Sequence, residues 1–180
     1  NLAILYYAQA RFDEAEPFYL EALEKRRRIL GDDHPSTLGS LNNLAALYMD
    51  QDRFDAAEPL FLESLEKSRR VLGDDHPDTL RSVRNINTVA WGLVDPDRVN
   101  MDTDVALGLR FARAAAGAAP GDSGIRDTLA WALFSNGLYT DAVAASEKAL
   151  ELAPVADKPL YQGQLDRLRS MIAEADGFRG

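Results

Sequence analysis

The first half of the chain repeats itself. "NLAILYYAQARFDEAEPFYLEALEKRRRILGDDHPSTL" from Asn1 lies over "NLAALYMDQDRFDAAEPLFLESLEKSRRVLGDDHPDTL" from Asn43, an offset of 42 residues, and roughly two-thirds of the positions agree. A third copy opens with "NINTVAWGLV" at Asn85 and then departs from the pattern. Periods of this length belong to stacked supersecondary units, which bury their apolar faces on their neighbours rather than in one central core. The repeat therefore restricts the fold far more than composition does.

Each copy reads as two helices. The first carries Leu44, Ala45, Leu47 and Tyr48 at helical spacing and stops near "DQDRF", where polar residues interrupt the apolar stripe. The second opens at Asp55 with acids and runs through Leu62, Leu65 and Leu72. Pro59 falls near the end of its first turn, where a missing N–H costs little. Arg69 and Arg70 occupy its last turns before Gly73, so the charges complement the helix dipole. Copy one repeats this plan from Asp13 to Leu30 and Gly31.

The loop "GDDHP", at Gly31–Pro35 and again at Gly73–Pro77, holds both histidines of the chain. Two acids and a histidine suggest half a metal site, but a complete one needs more ligands. One histidine per loop places the two on successive repeats. The hinge reading is therefore favoured. Glycine supplies the positive φ that ends one helix, and proline the fixed φ that starts the next. The aspartates are expected to accept hydrogen bonds from the free N–H groups of the new helix. No metal or other cofactor is expected.

The totals narrow the function. The formal net charge is −9 and there is no cysteine. Long-range forces then oppose nucleic acid and anionic membranes, and thiol nucleophiles and thiolate zinc sites are excluded. The basic run Lys25-Arg26-Arg27-Arg28 has a counterpart in Lys67-Ser68-Arg69-Arg70 at the same helix end, which fits dipole complementarity better than nucleic-acid binding. No apolar run nears the ~20 residues that span a bilayer. The lack of cysteine suits a reducing compartment, and a cytoplasmic location is the expectation. Neither a phosphate-cradling glycine loop nor a convergent acid–base set is present, so the segment is expected to be non-catalytic.

These residues resemble the tetratricopeptide repeat, and specifically the 42-residue kind found in kinesin light chains. "LNNLAALY" (Leu41 to Tyr48), "RFDAAEPLFLESLE" (Arg53 to Glu66) and "VLGDDHPDTL" (Val71 to Leu80) carry the likeness. Further on, "DTLAWALFSNGLYTDAVAASEKALELAP" (Asp127 to Pro154) is similar to a standard 34-residue repeat. Its Leu129, Ala130, Leu133, Gly137, Tyr139, Ala142, Ala149 and Pro154 fall on signature positions, with Ser146 in place of a large residue. "TDVALGLRFARAAAGAAP" (Thr103 to Pro120) reads as the second helix of repeat three, after an enlarged turn, "VDPDRVNMD", from Val94 to Asp102.

The resemblance implies an all-α fold, a right-handed solenoid of antiparallel helix pairs closed by a C-terminal capping helix. Residues 1–94 then hold two 42-residue units and the first helix of a third. Residues 95–154 hold divergent and standard units, and 155–180 the cap and tail. In the cap, Leu160, Leu165, Leu168 and Ile172 share one side amid charges. Because Asn1 opens inside a first helix, the expectation is the C-terminal part of a longer array or multidomain protein.

The resemblance also implies that first helices line a groove that takes a peptide or protein partner. Its positions map onto Ile4 and Tyr7, then Asn42, Ala46 and Met49, then Arg81, Arg84, Thr88 and Trp91, then Asp127, Trp131 and Phe134. Asn1, Asn43 and Asn85 match a family asparagine that contacts ligand backbone. Each assignment has a structural alternative. The asparagines could tie neighbouring repeats together, and Arg81 and Arg84 could hold a ligand carboxylate or bridge to Asp78 or a neighbouring repeat. Trp91 and Trp131 suit core packing. Two other readings stay open, a regulatory arm acting on an upstream domain of the same protein and a module that self-associates through its first helix.

Overall fold

The computed structural model describes residues 2–98 and 103–177. Among these there are nine α-helices and no strands, so the all-α solenoid expectation holds. The chain divides into two compact units, one ending at Ser82 and one beginning at Val83.

The first unit contains α1 (Leu2–Ala8), α2 (Phe12–Leu30), α3 (Pro35–Asp50), α4 (Phe54–Leu72) and the opening of α5 (Pro77–Val94). Helix α2 buries Ala15, Tyr19 and Leu23, and α4 buries Ala57, Phe61 and Leu65. These positions recur every four residues, which aligns them on one face. The deepest aromatic of α4 is thus Phe61, whereas Leu62 and Leu72 are only half-buried. Helix α3 buries Leu38, Leu41, Leu44, Ala45, Leu47 and Tyr48, consistent with its place between neighbours.

Turns within each repeat follow one design. The N–H of Arg53 reaches the carbonyl of Tyr48 at 2.8 Å and that of Asp52 reaches Met49 at 3.0 Å, the paired bonds of a Schellman motif. Arg11 and Ala10 repeat it on Tyr6 and Tyr7, and Leu138 and Gly137 on Leu133 and Phe134. The motif needs a left-handed residue, which is Ala10 (φ 55°), Asp52 (φ 57°) or Gly137 (φ 74°). Its usual apolar contact is replaced in the first two copies by a guanidinium over a ring, Arg11 on Tyr6 at 4.5 Å and Arg53 on Tyr48 at 4.1 Å.

The "GDDHP" loops join helices as hinges, with one correction. Gly31 and Gly73 have φ of 92° and 90° with ψ of 164°, a region that glycine alone tolerates. Pro35 and Pro77 begin the next helices. The capping groups, however, are the histidines. Nδ1 of His34 accepts from the N–H of Ser36, and Nδ1 of His76 from that of Asp78, both at 3.1 Å. The aspartates turn to arginines instead: Asp74 to Arg69 at 2.7 Å, Asp33 to Arg70 at 2.9 Å and Asp32 to Arg27 at 3.3 Å. A carboxylate beside an arginine-rich helix end forms charge-assisted pairs, leaving the imidazole Nδ1 to face the backbone N–H. Pro59 also departs from expectation. It lies inside α4, past the free N–H groups, since the N–H of Ala57 already bonds to the carbonyl of Arg53 at 3.1 Å, so the carbonyl of Asp55 lacks its helical donor.

The second unit continues α5 and adds α6 (Val105–Ala118), α7 (Ser123–Ser135), α8 (Tyr139–Leu152) and α9 (Lys158–Gly177). Asp104 caps α6 through the N–H of Leu107 at 2.8 Å, and Asp122 caps α7 through that of Ile125 at 3.0 Å. Gly108 permits the close crossing of α6 on α5. A Cβ there would lie 2.5 Å from Cγ1 of Val94 and 3.0 Å from Cβ of Leu93. Helix α8 meets α7 through a face of small residues, Ala142, Ala145, Ser146 and Ala149. Helix α9 packs on α8 and α7 and buries Leu165 and Leu168, while Leu160 is exposed. Of the enlarged turn, Asp95 to Arg98 are described; residues 99–102 and the tail from 178 lie outside the described residues.

Candidate functional site

The first helices of unit one form one layer, tied edge to edge. The hydroxyl of Tyr7 on α1 donates to Asp50 on α3, and burial together with that hydrogen bond pushes the phenol's pKa well up. From α3, Nδ2 of Asn42 donates to Oγ of Ser82 on α5 at 2.8 Å. Second helices are linked likewise, through Arg27 on α2 and Glu63 on α4 at 3.3 Å. Between layers, Glu16 on α2 accepts from the hydroxyl of Tyr48 at 3.0 Å and from Arg53 at 2.7 Å.

These bonds sort the predicted site residues. Asn42 is buried and spent on the α3–α5 link, leaving its Oδ1 buried without a donor. Asn43 is exposed, and among the described residues nothing bonds its amide. Ala46 and Met49 are half-buried, and Ile4 is exposed. Asn1 lies outside the described residues.

Helix α5 carries the clearest polar stripe. Arg81, Arg84, Asn85 and Thr88 are all exposed, and their spacing of three, four and seven sets them along one face. The opposite face buries Thr79, Ser82, Val83, Ile86 and Ala90. Arg81 pairs with Asp78, whereas Arg84 has no ion pair among the described residues. Thr88 turns its hydroxyl back to the carbonyl of Arg84 at 2.9 Å. Trp91 is half-buried.

On α7, Trp131 is 1% exposed, and Phe134 meets it edge-on at 5.9 Å. The guanidinium of Arg167, on α9, sits 5.4 Å from the Trp131 ring and pairs with Asp97 at 2.6 Å. Trp131 is therefore a core residue roofed by a cation, not a side chain offered to a guest. Asp127, one turn before it, is largely buried with Oδ1 unpartnered, and burial pushes its carboxyl up to about 6.

Sequence reasoning missed the Arg167–Trp131–Asp97 set and the Glu16–Tyr48–Arg53 set. The first spans up to 70 residues and leaves no local pattern. The second had a signal, since Tyr6 and Arg11 recur as Tyr48 and Arg53 in the repeat.

Paired helices, repeated Schellman turns and an exposed polar stripe on a first helix define an α-solenoid of repeated helix pairs. Models of the tetratricopeptide repeat match residues 1–36, 37–78 and 125–155, and the chain belongs to the tetratricopeptide-repeat family. Repeats of this family mediate protein–protein interaction. A kinesin light chain protein of Podosopora anserina with nearly identical TPR-like repeats superposes with a TM-score of 0.67 at 18% identity, covering 98% of this chain and 86% of that one. BtubC (BKLC) from P. vanneervenii gives 0.53 at 20% identity, covering 98% and 62%. At such identities the likeness is one of fold. A nucleotide-binding leucine-rich repeat (NLR)-like protein of Hyaloscypha variabilis is 46% identical over 42 residues, 23% of this chain and 4% of that protein. The chain thus spans a small part of that relative's length. No helix among the described residues is long and apolar enough to cross a membrane.

Proposed function

We propose that this protein is a non-catalytic scaffold whose first-helix face binds an extended peptide or protein segment bearing a carboxylate. The observation that carries it is the α5 stripe: Arg81, Arg84, Asn85 and Thr88 stand exposed together in a chain of net charge −9. Guanidinium groups hold carboxylates through paired charge-assisted bonds. The exposed amides of Asn43 and Asn85 both donate and accept, which suits a peptide backbone of any sequence. The expected location remains cytoplasmic.

A screen of acidic peptides against the full chain, followed by Arg84→Glu and Asn43→Ala, tests this. Reversing Arg84 is expected to weaken a selected ligand by at least about tenfold, with circular dichroism unchanged. Undiminished affinity in the double variant, or no ligand in the screen, would overturn the reading.

A second reading draws on the NLR-like relative: the chain could serve as the partner-sensing arm of a larger protein. Co-purification of this segment with the remainder of its own reading frame, expressed separately, would support it. A reading frame with no further domain removes it.

A further inference from the structure

We infer that the guanidinium of Arg167, carried on Trp131, is a carboxylate seat that Asp97 occupies from within the chain, and that an acidic peptide segment of a partner takes it in exchange. This is independent of the α5 reading. It starts from one repeat position. Trp131 stands where Ala46 and Thr88 stand in the two repeats before. Ala46 is half-buried and Thr88 exposed, whereas Trp131 is 1% exposed. Its cover is the guanidinium, 5.4 Å from the ring centroid. The indole supports that group from one side, while the arginine side chain stays 41% exposed. A guanidinium backed by an aromatic ring keeps its fork of donors free for a planar anion.

The present occupant has the form of a guest. Nη2 of Arg167 donates to Oδ1 of Asp97 at 2.6 Å, and Nη1 to Oδ2 at 3.3 Å, the two-pronged grip that arginine gives a carboxylate. Asp97 belongs to the enlarged turn, 70 residues away, where the first two repeats have a tight turn instead. The turn is braced to deliver it. The N–H of Asp95 reaches the carbonyl of Trp91, and that of Arg98 reaches the carbonyl of Asp95, both at 2.9 Å. The carboxylate of Asp95 accepts from the N–H of Asp97 at 3.0 Å, and Pro96 fixes the backbone between them. Asp95 adds a second negative charge that reaches Arg167. Yet the Asp97 side chain is 69% exposed, and a pair so open to water is held weakly. Another carboxylate can displace it. The partner that fits carries two acids with one residue between them, as Asp95-Pro96-Asp97 does.

The test follows the Nε–H resonance of Arg167 by NMR in the full chain carrying Arg84→Gln, which removes the unpaired guanidinium of α5 from the reading. The probe is a free peptide of residues 95–98, acetylated and amidated. The peptide is expected to shift that resonance, and Asp97→Asn to tighten its binding roughly two- to fivefold. Arg167→Gln, read through the indole N–H of Trp131, should abolish binding. Asp141→Asn, which removes the same charge from an exposed site on α8, should leave the affinity unchanged. No shift in the Asp97→Asn chain, or equal affinity with and without Asp97, would overturn the inference. So would an equal gain from Asp141→Asn, or binding that survives Arg167→Gln.

Discussion

Asp127 is the residue whose chemistry is most at odds with its surroundings. Its carboxyl is raised from 3.8 to about 6 by burial, so the folded state prefers it protonated. A raised carboxyl pKa contributes stability below the unfolded value, and that contribution is lost as pH climbs through the folded value. The chain should therefore weaken between about pH 4 and pH 6 by as much as about 3 kcal/mol and level off above. Asp127→Asn should flatten this slope and raise the denaturant midpoint at pH 7. Urea unfolding across that pH range checks both. The left-handed positions give a second residue-scale expectation. Gly137→Ala should cost about 1 kcal/mol, measured by thermal unfolding. Gly31→Ala and Gly73→Ala should cost more, roughly 1–3 kcal/mol, because φ near 90° with ψ of 164° suits no side chain.

Among the elements, α9 and α6 depend on single contacts that can be broken. Removing the guanidinium in Arg167→Ala takes away the cation over Trp131 and the pair with Asp97. Such exposed contacts are worth about 1 kcal/mol together, and the indole beneath should gain water, red-shifting its fluorescence while leaving the helix content intact. On α6, Gly108→Ala should destabilise by roughly 1–3 kcal/mol, because Val94 is itself fully buried and cannot swing away. Calorimetry of Gly108→Ala beside Ala114→Gly, a half-buried site on the same helix, separates the clash from helix propensity.

At the scale of the whole chain, the repeat made most of the architecture legible. Leu44, Ala45, Leu47 and Tyr48 could be read as buried because their spacing is helical and one face of a repeat must meet a neighbour. Gly73 and Pro77 could be read as helix boundaries because glycine alone freely takes the positive φ that ends a helix and proline's fixed φ suits the start of the next, whatever surrounds them. The candidate site was less legible. Asn42 and Asn43 are adjacent and chemically identical, yet one is buried and bonded to Ser82 while the other faces solvent. Only the helix's rotation against its neighbours decides between them. The same holds for Trp131, which a cation 36 positions away covers. His34 and His76 could have been assigned as caps only once arginine had claimed the aspartates.

In unit one the packed pairs are consecutive helices: α1 with α2, α2 with α3, α3 with α4. An assembly joined chiefly link to link, with single side-chain ties such as Tyr7–Asp50 and Arg27–Glu63 reaching one helix further, yields in order when pulled. Drawn from its N-terminal end in an optical trap, the chain should surrender α1 first, at low load, once the Tyr7–Asp50 tether parts. Longer extensions should follow, each matching one helix pair. A protein of this build would behave as a graded spring rather than as a solid body that fails all at once.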